Sequence, residues 1–205
     1  MQAHVKDTYV KKAQAQGFRS RAAYKLQEID QRDHLLSAGQ VVVDLGAAPG
    51  SWSQVIAARL GAKGLLVAVD LLPVAAISGV NCAGVQIIQG DFREAAVLAQ
   101  VEKALAGRPV DLVVSDMAPN LSGVSSADQA RSLELCGQAL EFSCKHLKKG
   151  GNLLVKAFQG NACEEFRRDM ARHFKTVQPR KPLASRDRSS ELYLLGRGFL
   201  AVDPA

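Results

Sequence analysis

No apolar run in the sequence approaches the roughly 20 residues that a membrane-spanning helix needs, and Met1 to Ser20 is polar and basic rather than leader-like. The sequence therefore predicts a soluble, intracellular, cytoplasmic protein with no membrane partner. Cysteine is scarce: Cys82, Cys136, Cys144 and Cys163 form no C-x-x-C and no ligand spacing with the four histidines. Cys144 and His146 lie two apart near a predicted helix end, so their side chains diverge. All four thiols are expected to be reduced and mostly buried, and no metal is expected. Internal repeats and low-complexity linkers are also lacking, which leaves one domain.

What is present is a chain of 205 residues, suited to one α/β unit with a sizeable core. Its formal net charge of +6 suggests a polyanionic partner, against the plainer reading of a merely basic enzyme. The expected organisation is a basic N-terminal arm over 1–19, loosely held and carrying Lys6, Lys11 and Lys12, followed by a single domain over 20–205.

Past the arm, Ser20 to Leu36 has helical spacing, with Ala23, Leu26 and Ile29 on one face. Strands are then expected at Val41 to Leu45, Gly64 to Asp70, Val85 to Ile88, Val110 to Ser115, Asn152 to Phe158, Lys175 to Gln178 and Glu191 to Gly196. Helices are expected at Ser51 to Leu60, Glu94 to Leu105, Asp128 to Leu147 and Cys163 to Phe174, the third capped by Lys145, Lys148, Lys149 and Gly150-Gly151. This alternation predicts a seven-stranded, mostly parallel sheet with helices on both faces. Only the loop Pro179 to Ser190 joins the last two strands, which permits an antiparallel final strand.

The organising stretch is Val41 to Trp52. A β-branched run ends at Asp44, and Gly46-Ala47-Ala48-Pro49-Gly50 then leads into a helix. That is a buried strand delivering its C-terminal end to a ligand, with small residues where the ligand must approach and Pro49 stiffening the turn. The loop departs from G-x-G-x-x-G because Ala48 stands at its second glycine, the one that admits a pyrophosphate. No G-K-[ST] follows it. A cofactor without phosphates is favoured. Three acids end successive strands. Asp70 is placed for ribose hydroxyls, Asp91 for an adenine amino group beside Phe92, and Asp116 closes the fourth strand. Such a rim repels phosphates and suits adenosine joined to a sulfonium cation.

The motifs Val43-Asp44-Leu45-Gly46-Ala47-Ala48-Pro49-Gly50, Trp52-Ser53-Gln54, Asp70-Leu71-Leu72-Pro73, Gln89-Gly90-Asp91-Phe92, Ser115-Asp116-Met117-Ala118-Pro119-Asn120 and Leu154-Val155-Lys156 together resemble the FtsJ/RrmJ family of RNA ribose 2′-O-methyltransferases. The resemblance runs from about Lys11 to Phe199. It implies a Rossmann-like methyltransferase fold and S-adenosylmethionine as cofactor, held by Gly46, Ala47, Ala48, Pro49, Gly50, Trp52, Asp70, Leu71, Asp91, Phe92 and Asp116. It also implies a catalytic set of Lys25, Asp116, Lys156 and Glu191. For a compact chain the implied substrate is a uridine ribose of 23S rRNA in the large ribosomal subunit, and a monomer is expected. Ser51 departs from the family, which commonly has a second glycine there; a negative φ would make it tolerable.

The residues add their own weight at Lys156, a lysine inside the apolar run Leu153 to Phe158, costly unless partnered or functional. It is the expected base; if it stays charged, it instead orients the nucleophile and stabilises the developing alkoxide. For Lys25 and Glu191, solvated or salt-bridged roles compete, and the resemblance decides. Lys6, Lys11, Lys12, Arg19 and Arg21, with Arg180, Lys181, Arg186 and Arg188, are expected to converge into a groove for RNA phosphates. Three rivals fit less well. A base methyltransferase would need a cysteine near Asp116 or a [DN]-P-P-[YFW] motif; a non-catalytic assembly factor would not need the intact tetrad. A dehydrogenase would bind a different cofactor, and tRNA is the alternative RNA substrate.

Overall fold

The run Val41–Leu45 (β1) is buried at every position, and its side chains alternate between two cores. Val41, Val43 and Leu45 point into one and Val42 into the other, the pattern of a central strand covered on both faces. The computed structural model describes residues 8–82, 84–119, 125–185 and 189–201. In chain order its elements are α1 (Thr8–Ala15), α2 (Ala22–Asp33), β1, α3 (Ser51–Leu60), β2 (Leu65–Asp70), β3 (Gly84–Gln89), α4 (Ala95–Leu105), β4 (Val110–Ser115), α5 (Ser125–His146), β5 (Leu147–Phe158), α6 (Asn161–Met170), β6 (Phe174–Arg180) and β7 (Glu191–Phe199).

One seven-stranded sheet has the order β3-β2-β1-β4-β5-β7-β6. Neighbours from β3 to β5 are parallel, and β7 runs antiparallel to both β5 and β6. Helices α2 and α3 pack on one face, with Leu26, Ile29, Val55 and Ile56 buried against Val42, Leu66, Leu112 and Leu154. Helices α4, α5 and α6 cover the other, through residues such as Val101, Phe142 and Met170. This is the mostly parallel α/β sheet that the alternation predicts, with the antiparallel last strand that the final loop permits and the Rossmann-like fold that the resemblance implies. The chain leaves β1 towards β2 and returns to β4 on β1's other side, so the ligand crevice belongs at the carboxyl ends of β1 and β4.

Two expectations change. The arm is not loose over Thr8–Ala15: α1 buries Ala13 against Tyr24 and Ala184, and the Tyr9 ring lies 5.5 Å from Tyr24. Lys6 lies outside the described residues. Nor do Lys148 to Gly151 cap α5. They belong to β5, where pairing passes from Val110↔Leu147 to Leu112↔Asn152 through an irregularity. Gly150 takes up the positive φ (83°) inside that excursion.

Candidate active site

A cavity of about 470 Å³ opens at the carboxyl ends of β1 to β4. Gly46, Ala48, Asp70, Leu71, Gly90, Asp91, Phe92, Asp116 and Met117 are among the residues that line it. Gly46 has φ +75°, and a Cβ there would overlap the Met117 side chain, so glycine is required on two counts. The turn is fixed by backbone: Gly46 and Ala47 N–H donate to Val69 O at 2.9 and 3.1 Å. Ala48 N–H donates to Asp70 Oδ2 and Leu72 N–H to Asp70 Oδ1, both at 2.8 Å. Asp70 thus ties both walls of the cavity together while lining it. Ser51 opens α3 in helical conformation, and its hydroxyl meets Ser20 Oγ at 2.8 Å, so the side chain fits where a glycine was expected.

Asp91 is not a bare acceptor. Arg93 chelates it, with Nε 2.9 Å from both oxygens and Nη2 2.5 Å from Oδ2, and this guanidinium holds the carboxyl below its usual range. Leu71 and Leu72, each 64% exposed, offer apolar surface at the rim that a flat, uncharged ring system would cover. Beneath the loop, Asp44 is fully buried. Its Oδ2 accepts from Ser53 Oγ at 2.7 Å, while Oδ1 has no partner among the described residues. Burial pushes this carboxyl up to about 7; Ser53 opposes the shift, and the charges of Asp116 and Asp70 add to it.

The four residues of the expected catalytic set meet around Asp116, the one of them that lines this cavity. Lys25 Nζ lies 2.6 Å from Glu191 Oε1. Lys156 Nζ lies 3.1 Å from Asp116 Oδ1 and 3.6 Å from Glu191 Oε2. Asp116 belongs to both the network and the cavity wall. Side-chain exposure is 9–10% for Lys25, Glu191 and Lys156 and 19% for Asp116, so four charges have been withdrawn from water. Ion pairs at that depth add little stability over apolar packing, which makes them candidates for chemistry. Burial alone would raise Glu191, but the hydrogen bond and charge of Lys25, with the charge of Lys156, outweigh it and hold the carboxyl below its usual range.

Two further residues join the network that sequence reasoning did not single out. Tyr193 OH donates to Asp116 Oδ1 at 2.7 Å and lies 3.5 Å from Glu191 Oε1; Ser185 Oγ donates to Glu191 Oε1 at 3.0 Å. Burial, then the charges of Asp116 and Glu191, push the Tyr193 hydroxyl well above its ordinary value, so it remains a donor. Period-two spacing was the available signal, since Glu191 and Tyr193 share one face of β7. Ser185 had none.

Other expected contacts are placed differently. Trp52 is 2% exposed, donates Nε1–H to Ala22 O at 2.8 Å and packs 5.4 Å from the Tyr193 ring. It is a core buttress under the network and does not line the cavity, because the first turn of α3 directs it into the sheet-facing core. Ala47, Pro49 and Gly50 shape the turn from behind the lining residues. The two basic segments do meet, since α1 and the β6–β7 connection share the cluster of Ala13, Tyr24 and Ala184. Lys11 and Lys12 are exposed there. Arg180, however, is 7% exposed and chelates Asp33 at 2.6 and 2.7 Å, and Lys181 Nζ donates to the carbonyls of Ser189 and Glu191. Arg19 is likewise engaged with backbone carbonyls. Each of these three is thus partly or wholly committed to protein acceptors, and Arg180 is buried as well; Arg186 and Arg188 lie outside the described residues, as does Asn120.

The sequence profile of the FtsJ-like methyltransferases matches residues 18–199. The chain belongs to this family. A protein of Azoarcus sp. (strain BH72) named Ribosomal RNA large subunit methyltransferase E is 59% identical over 96% of this chain and 93% of its own length. One of the same name from Nitrosospira multiformis is 56% identical over 97% and 94%. Among solved structures, a Plasmodium falciparum protein assigned as a ribosomal RNA methyltransferase matches with a TM-score of 0.78 at 27% identity, over 90% of this chain and all of the other. As an FtsJ-like methyltransferase, the chain presents a glycine-walled cavity with an ionic tetrad around Asp116 in its wall. Among the described residues no group of three His, Cys, Asp or Glu could hold a metal, and no helix is long and apolar enough to cross a membrane.

Proposed function

We propose that this FtsJ-like methyltransferase uses S-adenosylmethionine to methylate the ribose 2′-hydroxyl of a uridine in 23S rRNA of the large ribosomal subunit. The observation that carries the reading is Asp116, which lines the cavity and also holds Lys156 at 3.1 Å. The ligand-binding and proton-handling parts of the site therefore share a wall. The names of the Azoarcus and Nitrosospira relatives support the choice of substrate.

The cavity suits the cofactor. Leu71 and Phe92 supply apolar contact for an adenine, Asp70 and the Arg93-paired Asp91 supply acceptors for hydroxyl and amino groups, and Asp116 suits a cationic centre. When bound, S-adenosylmethionine supplies a methyl group on a positively charged sulfur that leaves as a neutral thioether. In-line transfer requires the 2′-oxygen to be held about 3 Å from the methyl carbon and to lose its proton. Lys156 is the proposed base for that proton; while it carries the charge that helps hold Glu191 low, it instead orients the 2′-oxygen and stabilises the developing alkoxide, with Asp116 and Glu191 as its partners. Lys25 keeps Glu191 ionised for that task, and Tyr193 fixes the Asp116 carboxylate by donating to it. Lys11 and Lys12, exposed on α1 where it packs on Tyr24 and Ala184, attract RNA phosphates, so RNA binding weakens steeply with salt. The enzyme acts as a cytoplasmic monomer without a metal.

The test supplies S-adenosylmethionine with a labelled methyl group to large ribosomal subunits, naked ribosomal RNA and tRNA in parallel. Label on a uridine ribose of the large subunit is the expected result. Label on tRNA would keep the chemistry and replace the substrate. No label on any RNA, with the cofactor still bound, would favour a non-catalytic assembly factor.

A further inference from the structure

The arginine six residues before Lys25 stands where a basic RNA contact was expected, yet three of its guanidinium N–H groups bond backbone carbonyls of the protein. Arg19 Nη1 donates to Pro49 O at 2.9 Å and to Ala75 O at 2.8 Å, and Nη2 donates to Ala76 O at 2.7 Å. Pro49 belongs to the turn after β1, which carries Ala48. Ala75 and Ala76 belong to the stretch after β2, which begins with Leu71 and Leu72. Those are the two walls of the cavity. Gly50 is part of the same arrangement, because a Cβ there would overlap Arg19 Nη1.

The segment that carries Arg19 is anchored as firmly as its side chain. Arg19 N–H donates to Gln54 Oε1 at 3.0 Å, and Gln54 Nε2 returns a bond to Gly17 O at 3.0 Å. Ser20 and Trp52 add the bonds to Ser51 Oγ and Ala22 O described above. Gly17 to Ala22 is thus stitched along the start of α3, and α2 with Lys25 follows directly. A planar fork with fixed donor directions can bridge two carbonyl-bearing segments; an ammonium offers the charge without that geometry.

We infer that Arg19 is a positioning residue for the cofactor cavity: a clamp that sets the spacing of its two walls and fixes them to the segment leading into Lys25. The inference rests on the reading of the cavity as the S-adenosylmethionine site. Three of the five guanidinium donors are committed to these carbonyls, so the inference assigns Arg19 to the shape of the site rather than to an RNA phosphate.

The test measures S-adenosylmethionine binding calorimetrically without RNA, for wild type, Arg19→Ala and Arg19→Lys, with thermal unfolding recorded for each. Both variants are expected to bind the cofactor about tenfold more weakly or worse, because neither restores the fork. The salt dependence of RNA binding is expected to match wild type in both. Millimolar methylguanidinium is expected to recover part of the cofactor affinity in Arg19→Ala. Should that variant not fold, Arg19→Lys carries the test, since it keeps the charge and the alkyl stem. Wild-type cofactor affinity in the variants, with RNA affinity lost in Arg19→Ala and restored in Arg19→Lys, would overturn the inference and make Arg19 a phosphate contact. Failure of the wild type to bind S-adenosylmethionine would remove the cofactor reading, and this inference with it.

Discussion

At the cavity end of the site, proposed to hold the cofactor, geometry is set by main chain: two amides on Asp70, two on Val69 O, and a glycine at φ +75° against Met117. At the proposed transfer end it is set by charged side chains drawn from α2, β5, β7 and the residue after β4, with Tyr193 and Ser185 completing their hydrogen bonds. The first kind of construction resists change of shape and tolerates change of charge. The second holds its shape only while its charges balance. The two ends should therefore fail differently when altered, one in binding and the other in turnover.

Gly46→Ala strikes the first end hardest. The substitution puts a Cβ at a positive φ and into Met117, so cofactor affinity should fall by at least about tenfold, read by titration of the variant. A variant binding within twofold of wild type would break the contrast. Tyr193→Phe addresses the second end with a smaller effect. It removes one hydrogen bond to an ionised carboxylate, worth about 1.5–3 kcal/mol. Turnover should drop about tenfold or more while cofactor affinity stays unchanged, which separates kcat from binding. If affinity fell in step with kcat, Tyr193 would belong to the cavity rather than to the network.

Asp44 gives the most specific effect, one read in stability rather than in binding or turnover. Its folded-state carboxyl is raised to about 7, from an unfolded value of about 3.9. The folded state therefore binds the extra proton, and this contribution to stability is full below the unfolded value and lost as pH rises through about 7. Asp44→Asn should flatten the fall in stability between pH 4 and pH 7, measured by urea unfolding across that range. An unchanged slope would assign the pH dependence to another group.

Much of the cavity end was legible because its determinants are local. Val41–Leu45 and Val110–Ser115 coincide with the expected strands, and the acids at the strand ends follow from them directly. The network depends on the fold. Lys25 and Glu191 touch only because α2 packs beside the end of an antiparallel β7, and no local pattern encodes that contact. The basic residues mislead for the same reason. Arg19 and Arg180 look like surface charge in the chain, but partners far away in sequence engage them: backbone carbonyls at Pro49 and Ala75, and the carboxylate of Asp33. Trp52 shows the converse, since a motif position beside the loop is turned into the core by the first turn of the helix it sits on.

The division between a binding end and a transferring end is tested most directly by Lys156→Ala, measured for S-adenosylmethionine affinity and for single-turnover methylation of large ribosomal subunits. The account predicts affinity within about twofold of wild type and a loss of transfer of at least about a thousandfold. Methyl transfer at the wild-type rate, or cofactor affinity lost together with transfer, would contradict it.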